Sequence, residues 1–96
     1  EFIGRFKFDH AVISVSGIHT AGDIGDDDHA EVAAVQAAMR QADRTLLAVD
    51  ASKYGRRALV KLANLADVDE IVSDAAPPAP IDRLVAEAGT RLTVAQ

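Results

Sequence analysis

The 96-residue chain contains no cysteine and no tryptophan. Without cysteine there can be no disulfide framework, no thiolate metal site and no thiol redox chemistry. Aromatic residues make up only 4% of the chain, so stacking platforms for bases or sugar rings are scarce. Positive charge is also short: ten Lys and Arg against fifteen Asp and Glu give a net charge of −5. That balance argues against nucleic-acid binding by this segment in its own right, although it leaves room for one local basic patch. No apolar run approaches the roughly 20 residues needed to cross a bilayer, so no membrane role is expected. No signal peptide is visible, which makes the cytoplasm the expected setting. No phosphate-loop or dinucleotide fingerprint occurs, no Ser-His-Asp order is visible, and no cofactor is expected.

What is present is a 49% hydrophobic fraction, drawn mainly from Ala, Val, Ile and Leu. It suffices for the core of one small domain, 1–96, with no interior linker, repeat or low-complexity tract. The chain opens at Glu1, close to strand-like sequence, which suggests a piece of a longer protein.

Hydrophobic periodicity sets the expected elements. "HAVISVSGI" (10–18) reads as a buried strand and "HTAGDIGDDD" (19–28) as a polar loop. "HAEVAAVQAAMRQADR" (29–44) reads as a helix: Val32, Val35 and Met39 share a face, and Arg40 and Arg44 suit its last turn. Asp28 followed by Glu31 resembles a capping box. "TLLAVD" (45–50), "EIVSD" (70–74) and "TRLTVA" (90–95) read as further strands, while 57–69 fits neither period. Pro80 can open a second helix carrying Ile81, Leu84, Val85 and Ala88, and Gly89 can cap it. Strands alternating with helices imply an α/β fold with a parallel sheet.

Ligands of open parallel sheets bind at the carboxyl ends of the strands. Two loops are expected there: Ser16-Gly17-Ile18-His19 and Asp50-Ala51-Ser52-Lys53. Lys53 can meet a phosphate as a point charge, Ser52 and the loop N–H groups can bind its oxygens, and Gly17 and Gly55 allow close approach. Arg56 and Arg57 add positive potential, and His19 could donate a hydrogen bond or exchange a proton. The same residues are equally described as a turn cap with solvated cations around it. The run Asp26-Asp27-Asp28-His29 invites a metal reading, but four consecutive residues cannot all face one ion. The helix dipole and cap account for them, and no metal is expected.

The segments "DHAVISVSGI", "AAVQAAM", "LLAVDASKYGRRALVKLANLADVDEIVSD" and "AGTRLTVA" together resemble the C-terminal effector-sensing domain of DeoR-type bacterial transcription regulators. The middle segment is the most specific, with its D-x-S-K-[FY]-G loop and the Leu65, Asp67, Val68, Asp69 stretch. The resemblance covers nearly the whole chain and the latter part of the family's sensor domain, without its N-terminal helix-turn-helix. It implies a Rossmann-like, sugar-phosphate isomerase-like sheet with flanking helices, present here as a partial domain. It implies a short strand near 58–63. It also implies a phosphorylated sugar or related metabolite as effector, DNA contact only through the missing domain, and a homo-oligomer.

By motif, Asp50, Ser52 and Lys53 would line the effector site, with Gly17, Ser16, His19 and Arg56 around it. Three positions depart from the family pattern. His19 stands for an Asp, Gly25 for a Thr and Val32 for a Glu, which argues against isomerase chemistry. The reading that follows is a non-enzymatic repressor sensor. The alternatives are an isomerase-like enzyme fragment and an oligomerisation domain whose site has decayed.

Overall fold

The computed structural model describes residues 8–95. In chain order the elements are β1 (Phe8–Ile13), β2 (Gly17–Ile18), β3 (Asp23–Asp26), α1 (His29–Gln41), β4 (Ala42–Val49), β5 (Val60–Asn64), β6 (Glu70–Ser73), α2 (Ile81–Ala88) and β7 (Arg91–Val94). β1, β4, β6 and β7 form a wholly parallel sheet in that spatial order. β2, β3 and β5 form a smaller antiparallel sheet. The α/β class and the parallel sheet with flanking helices are as the periodicity indicates.

The boundaries differ in three places, each for a local reason. The strand expected over 10–18 leaves the parallel sheet after Ile13. The Ser16 N–H donates to the Gly25 carbonyl at 2.9 Å and turns the chain into the second sheet. The polar loop expected over 19–28 holds β3, because Ile18 and Ile24 pair across the two short strands and are both fully buried. α1 ends at Gln41 rather than at residue 44. From Ala42 onward the backbone pairs with β1, with Arg44 opposite His10, so the sheet ladder wins over helix propensity. Arg44 therefore lies in β4 and not in a last helical turn.

The stretch 57–69 owes its mixed pattern to two short elements. β5 is followed by a single 3₁₀ turn, Leu65–Asp67, closed by a reciprocal capping box between Asn64 and Asp67. Pro80 sits one residue before the first residue of α2, and Gly89 ends that helix with a left-handed φ of 75°.

The core lies on one face of the parallel sheet. Ala11, Ile13, Leu47 and Ile71 project from it into a single cluster with Val32 of α1, Leu62 and Leu65 of the β5 region, and Ile81 and Val85 of α2. Leu47 and Ile71 are completely buried. Burying such a side chain is worth about 1.5–3 kcal/mol each. Met39 and Val35 pack at the margin of this cluster, which completes the α1 stripe.

Asp28 caps α1: its Oδ1 accepts from the N–H groups of Ala30 at 2.8 Å and Glu31 at 3.2 Å. Asp28→Ala should cost about 1 kcal/mol and Asp28→Asn much less, because Asn still offers an acceptor. In a domain of this size the Ala variant should melt about 4–8 °C lower by circular dichroism. An Ala variant that melts with the wild type would show that the cap contributes nothing.

Candidate functional site

At the carboxyl edge of the parallel sheet the ends of β1, β4 and β6 frame a cleft of about 440 Å³, with Ser14, Asp50, Lys53, Ser73 and Asp74 in its lining. Asp50 follows β4 and Asp74 follows β6, so the sheet's own register sets the two carboxylates side by side. They are joined through the backbone, since the Ala51 N–H donates to Asp74 Oδ1 at 2.8 Å.

The loop after β4 is a single 3₁₀ turn, Ala51–Lys53, with Asp50 at its N-cap. The Asp50 carboxylate accepts from the Ser52 N–H at 2.9 Å and also from the Ser52 hydroxyl. These two bonds, the hydroxyl first, hold the Asp50 carboxyl below the usual carboxylate range, with a smaller pull from the Lys53 charge. The lowered pKa makes Asp50 a weaker base than an ordinary carboxylate.

The loop N–H groups expected to meet a phosphate are already used. Ala51 donates to Asp74, Ser52 to Asp50, Lys53 to the Asp50 carbonyl, Tyr54 to the Ala51 carbonyl and Gly55 to the Ile18 carbonyl. The reason is geometric: a capped 3₁₀ turn points its amides inward, where an anion-binding nest would splay them outward. The remaining cation in the cleft is Lys53, which has no carboxylate within ion-pair distance among the described residues.

The site residues expected from the sequence fall into three groups. Asp50 and Lys53 share the cleft, with Ser52 exposed on its rim. His19 lines a separate cleft of about 270 Å³ with Asp23, Gly25, Arg57 and Lys61. Two of the three departures from the family pattern, His19 and Gly25, therefore meet in one place. His19 Nδ1 accepts from the Ala21 N–H at 3.2 Å.

Ser16, Gly17 and Arg56 line neither of these two clefts. The Ser16 hydroxyl donates to Asp26 at 2.8 Å, and Arg56 pairs with Asp27 at 3.7 Å. A Cβ on Gly17 would sit 2.2 Å from the Arg56 carbonyl oxygen, so only glycine allows this contact. Gly17 thus serves close backbone packing against Arg56.

Sequence reasoning missed Asp74, Ser73 and Ser14. The signal was available for Asp74, since "EIVSD" ends in an acid at a strand's carboxyl end, as "LLAVD" does. Among the described residues no group of three acids, histidines or cysteines could hold a metal ion, and Asp26 and Asp28 are used in local hydrogen bonds.

Tyr54 lies under the loop, bridged to Ile18. Its hydroxyl oxygen is buried without a hydrogen-bond partner. The neighbouring Ser73 hydroxyl is committed to Ala75, donating to its carbonyl at 2.8 Å and accepting from its N–H at 3.3 Å. Burial pushes the Tyr54 phenol up from its usual value of 10.0, with Ser73 opposing the rise and the Asp74 charge adding to it. The folded state thus favours the neutral phenol, so its contribution is complete below pH 10.0 and is lost as pH rises further. Tyr54→Phe should be neutral or stabilising by up to about 1 kcal/mol at pH 7, because an unsatisfied buried hydroxyl is removed. It should also flatten the alkaline limb of the stability curve in urea titrations. A clear loss of stability at pH 7 would mean that the hydroxyl has a partner.

Comparison with known proteins places the chain among bacterial regulators. The family described as the DeoR C terminal sensor domain matches residues 1–75. The chain is similar to the glycerol-3-phosphate regulon repressor of Escherichia coli K12, at 31% identity over 91% of this chain and 34% of that protein. It is also similar to the HTH-type transcriptional repressor CsqR of E. coli K12, at 34% identity over 83% of the chain and 31% of that protein. A third relative is the L-fucose operon activator of Haemophilus influenzae, at 30% identity over 77% of the chain and 30% of that protein. The chain spans about a third of the length of these curated relatives.

Proposed function

The chain belongs to the DeoR C-terminal sensor domain family, and from that premise we propose that the Asp50–Lys53–Asp74 cleft holds a small phosphorylated polyol or sugar. The observation that carries this reading is the composition of the cleft: Lys53, with no ion-pair partner among the described residues, flanked by two carboxylates at the sheet's carboxyl edge. A single ammonium suits one phosphate, as a charge-assisted contact. Carboxylates are acceptors only when ionised, and they suit the hydroxyl groups of a polyol. Glycerol 3-phosphate, named in the relatives' regulon, carries one phosphate and two hydroxyls and is the first effector to test.

The protein acts as a sensor and not as a catalyst. The lowered pKa of Asp50 makes it a weaker base than an ordinary carboxylate, and the relatives the chain matches are named as regulators of transcription. The effector works by binding two conformational or oligomeric states unequally, so that a helix-turn-helix carried elsewhere in a longer cytoplasmic protein changes its affinity for an operator. Direct DNA contact by this acidic segment has no support in its charge.

Ligand binding to the folded state raises stability by RT ln(1 + [L]/Kd), about 2.7 kcal/mol at a hundred-fold excess over Kd. Glycerol 3-phosphate, or another phosphosugar in a panel, should raise the melting temperature with concentration. Glycerol and inorganic sulfate should not. Lys53→Ala should abolish the rise while leaving the unliganded melt nearly unchanged, because Lys53 makes no ion pair among the described residues. No shift with any phosphorylated ligand would favour the reading of an oligomerisation domain with a decayed site.

A further inference from the structure

A phosphate that enters the Lys53 cleft meets an imbalance of charge. Two carboxylates, Asp50 and Asp74, stand there with one ammonium. Both carboxylates repel the ligand, more strongly as it displaces water. Asp50 is fixed in place by the Ser52 N–H at 2.9 Å and by the Ser52 hydroxyl. Asp74 is exposed, and among the described residues its carboxylate accepts one hydrogen bond, from the Ala51 N–H at 2.8 Å. Of the two acids, Asp74 is the one free to move.

A second donor stands ready for it. The Tyr54 hydroxyl is buried and has no hydrogen-bond partner among the described residues. A buried hydroxyl left unpaired destabilises the fold, and phenylalanine would avoid that cost, so its presence calls for an explanation. Tyr54 ends the same 3₁₀ turn, its own N–H donating to the Ala51 carbonyl at 3.4 Å. Burial keeps the proton on the phenol, and the Asp74 charge is near enough to be felt there.

We propose that Tyr54 is a positioning residue for the effector: as the phosphate enters, the Asp74 carboxylate passes from the Ala51 N–H to the Tyr54 hydroxyl, and the freed Ala51 N–H donates to the phosphate. No proton changes owner; only hydrogen bonds are exchanged. The exchange satisfies the buried phenol, gives the ligand a backbone donor next to Lys53 and draws one repelling charge away from it. Ser73 is the poorer partner for the phenol, since its hydroxyl is engaged with Ala75 both as donor and as acceptor. The second oxygen of Asp74 stays available to a hydroxyl of the polyol. The effector then favours the state with Asp74 on Tyr54, which is the unequal binding of two states that a sensor requires. This inference rests on the effector reading and concerns how the cleft accepts the phosphate.

The test uses the full chain, labelled with ¹⁵N and ¹³C, and glycerol 3-phosphate. Without ligand, the Ala51 nitrogen should show a scalar coupling across the hydrogen bond to the Asp74 carboxyl carbon. At saturation that coupling should vanish and a coupling to the ligand phosphorus should replace it. By calorimetry, Tyr54→Phe should weaken binding about ten-fold, equivalent to about 1.4 kcal/mol. Its unliganded melt should equal or exceed that of the wild type, and a lower melt would mean that the phenol already has a partner and overturn the exchange. In an Asp74→Asn background, where the carboxylate charge is gone, Tyr54→Phe should change affinity by about two-fold at most. A merely structural role for the phenol would carry the full loss into both backgrounds and overturn the proposal. An Asp74 coupling that persists at saturation, or unchanged affinity in Tyr54→Phe, overturns the exchange while Lys53-dependent binding keeps the effector reading. No binding of any phosphosugar by the wild type overturns both.

Discussion

The structure turns on one close approach, that of Gly17 to the backbone of Arg56. A side chain at residue 17 would collide with the Arg56 carbonyl, so the two segments can touch only through glycine. The Gly55 N–H donates to the Ile18 carbonyl at 2.8 Å, and Ile18 bridges to Tyr54. These contacts fasten the loop after β4 to the small antiparallel sheet. They fix where the 3₁₀ turn begins, and so where Asp50 and Lys53 stand at the edge of the parallel sheet.

The parallel sheet was legible because its strands carry an unambiguous signal. "TLLAV" and "EIV" are mainly apolar, β-branched runs, and the α1 stripe of Val32, Val35 and Met39 has a clear helical period. Gly89 and Asp28 announced their caps through residue chemistry alone. The small sheet was not legible, since its first strand is two residues long and its second contains a glycine. No periodicity can be read from so short a run. What holds β2 and β3 in place is tertiary burial of Ile18 and Ile24. The helix end was misplaced because the residues after Gln41 are acceptable in a helix, and only pairing with β1 removes them from it.

The candidate site was legible in its chemistry and not in its partition. The sequence presents acids, a hydroxyl and cations in one stretch, but local hydrogen bonding decides which of them face a ligand. Ser52 and the loop amides turn inward to Asp50 and its neighbours, and Arg56 turns to Asp27. Lys53 is left as the cation of the cleft, and Asp74 joins from a strand far along the chain. On the proposed reading, this cleft would take a ligand with one phosphate and several hydroxyls. His19 and Gly25, where the sequence departs from its family, lie in the other cleft. Those departures therefore do not alter the Lys53 cleft directly.

The central claim is that Lys53, between Asp50 and Asp74, receives the phosphate of the effector. The most direct measurement is a two-dimensional NMR titration of the labelled chain with glycerol 3-phosphate, following the lysine Nζ and backbone amide signals. The account predicts saturable shifts at Lys53 and at the amides of Ala51, Ser52 and Asp74, with Lys61 and the residues around His19 unmoved. Saturable shifts confined to Lys61, Arg57 and His19 would place the ligand in the other cleft and contradict the account.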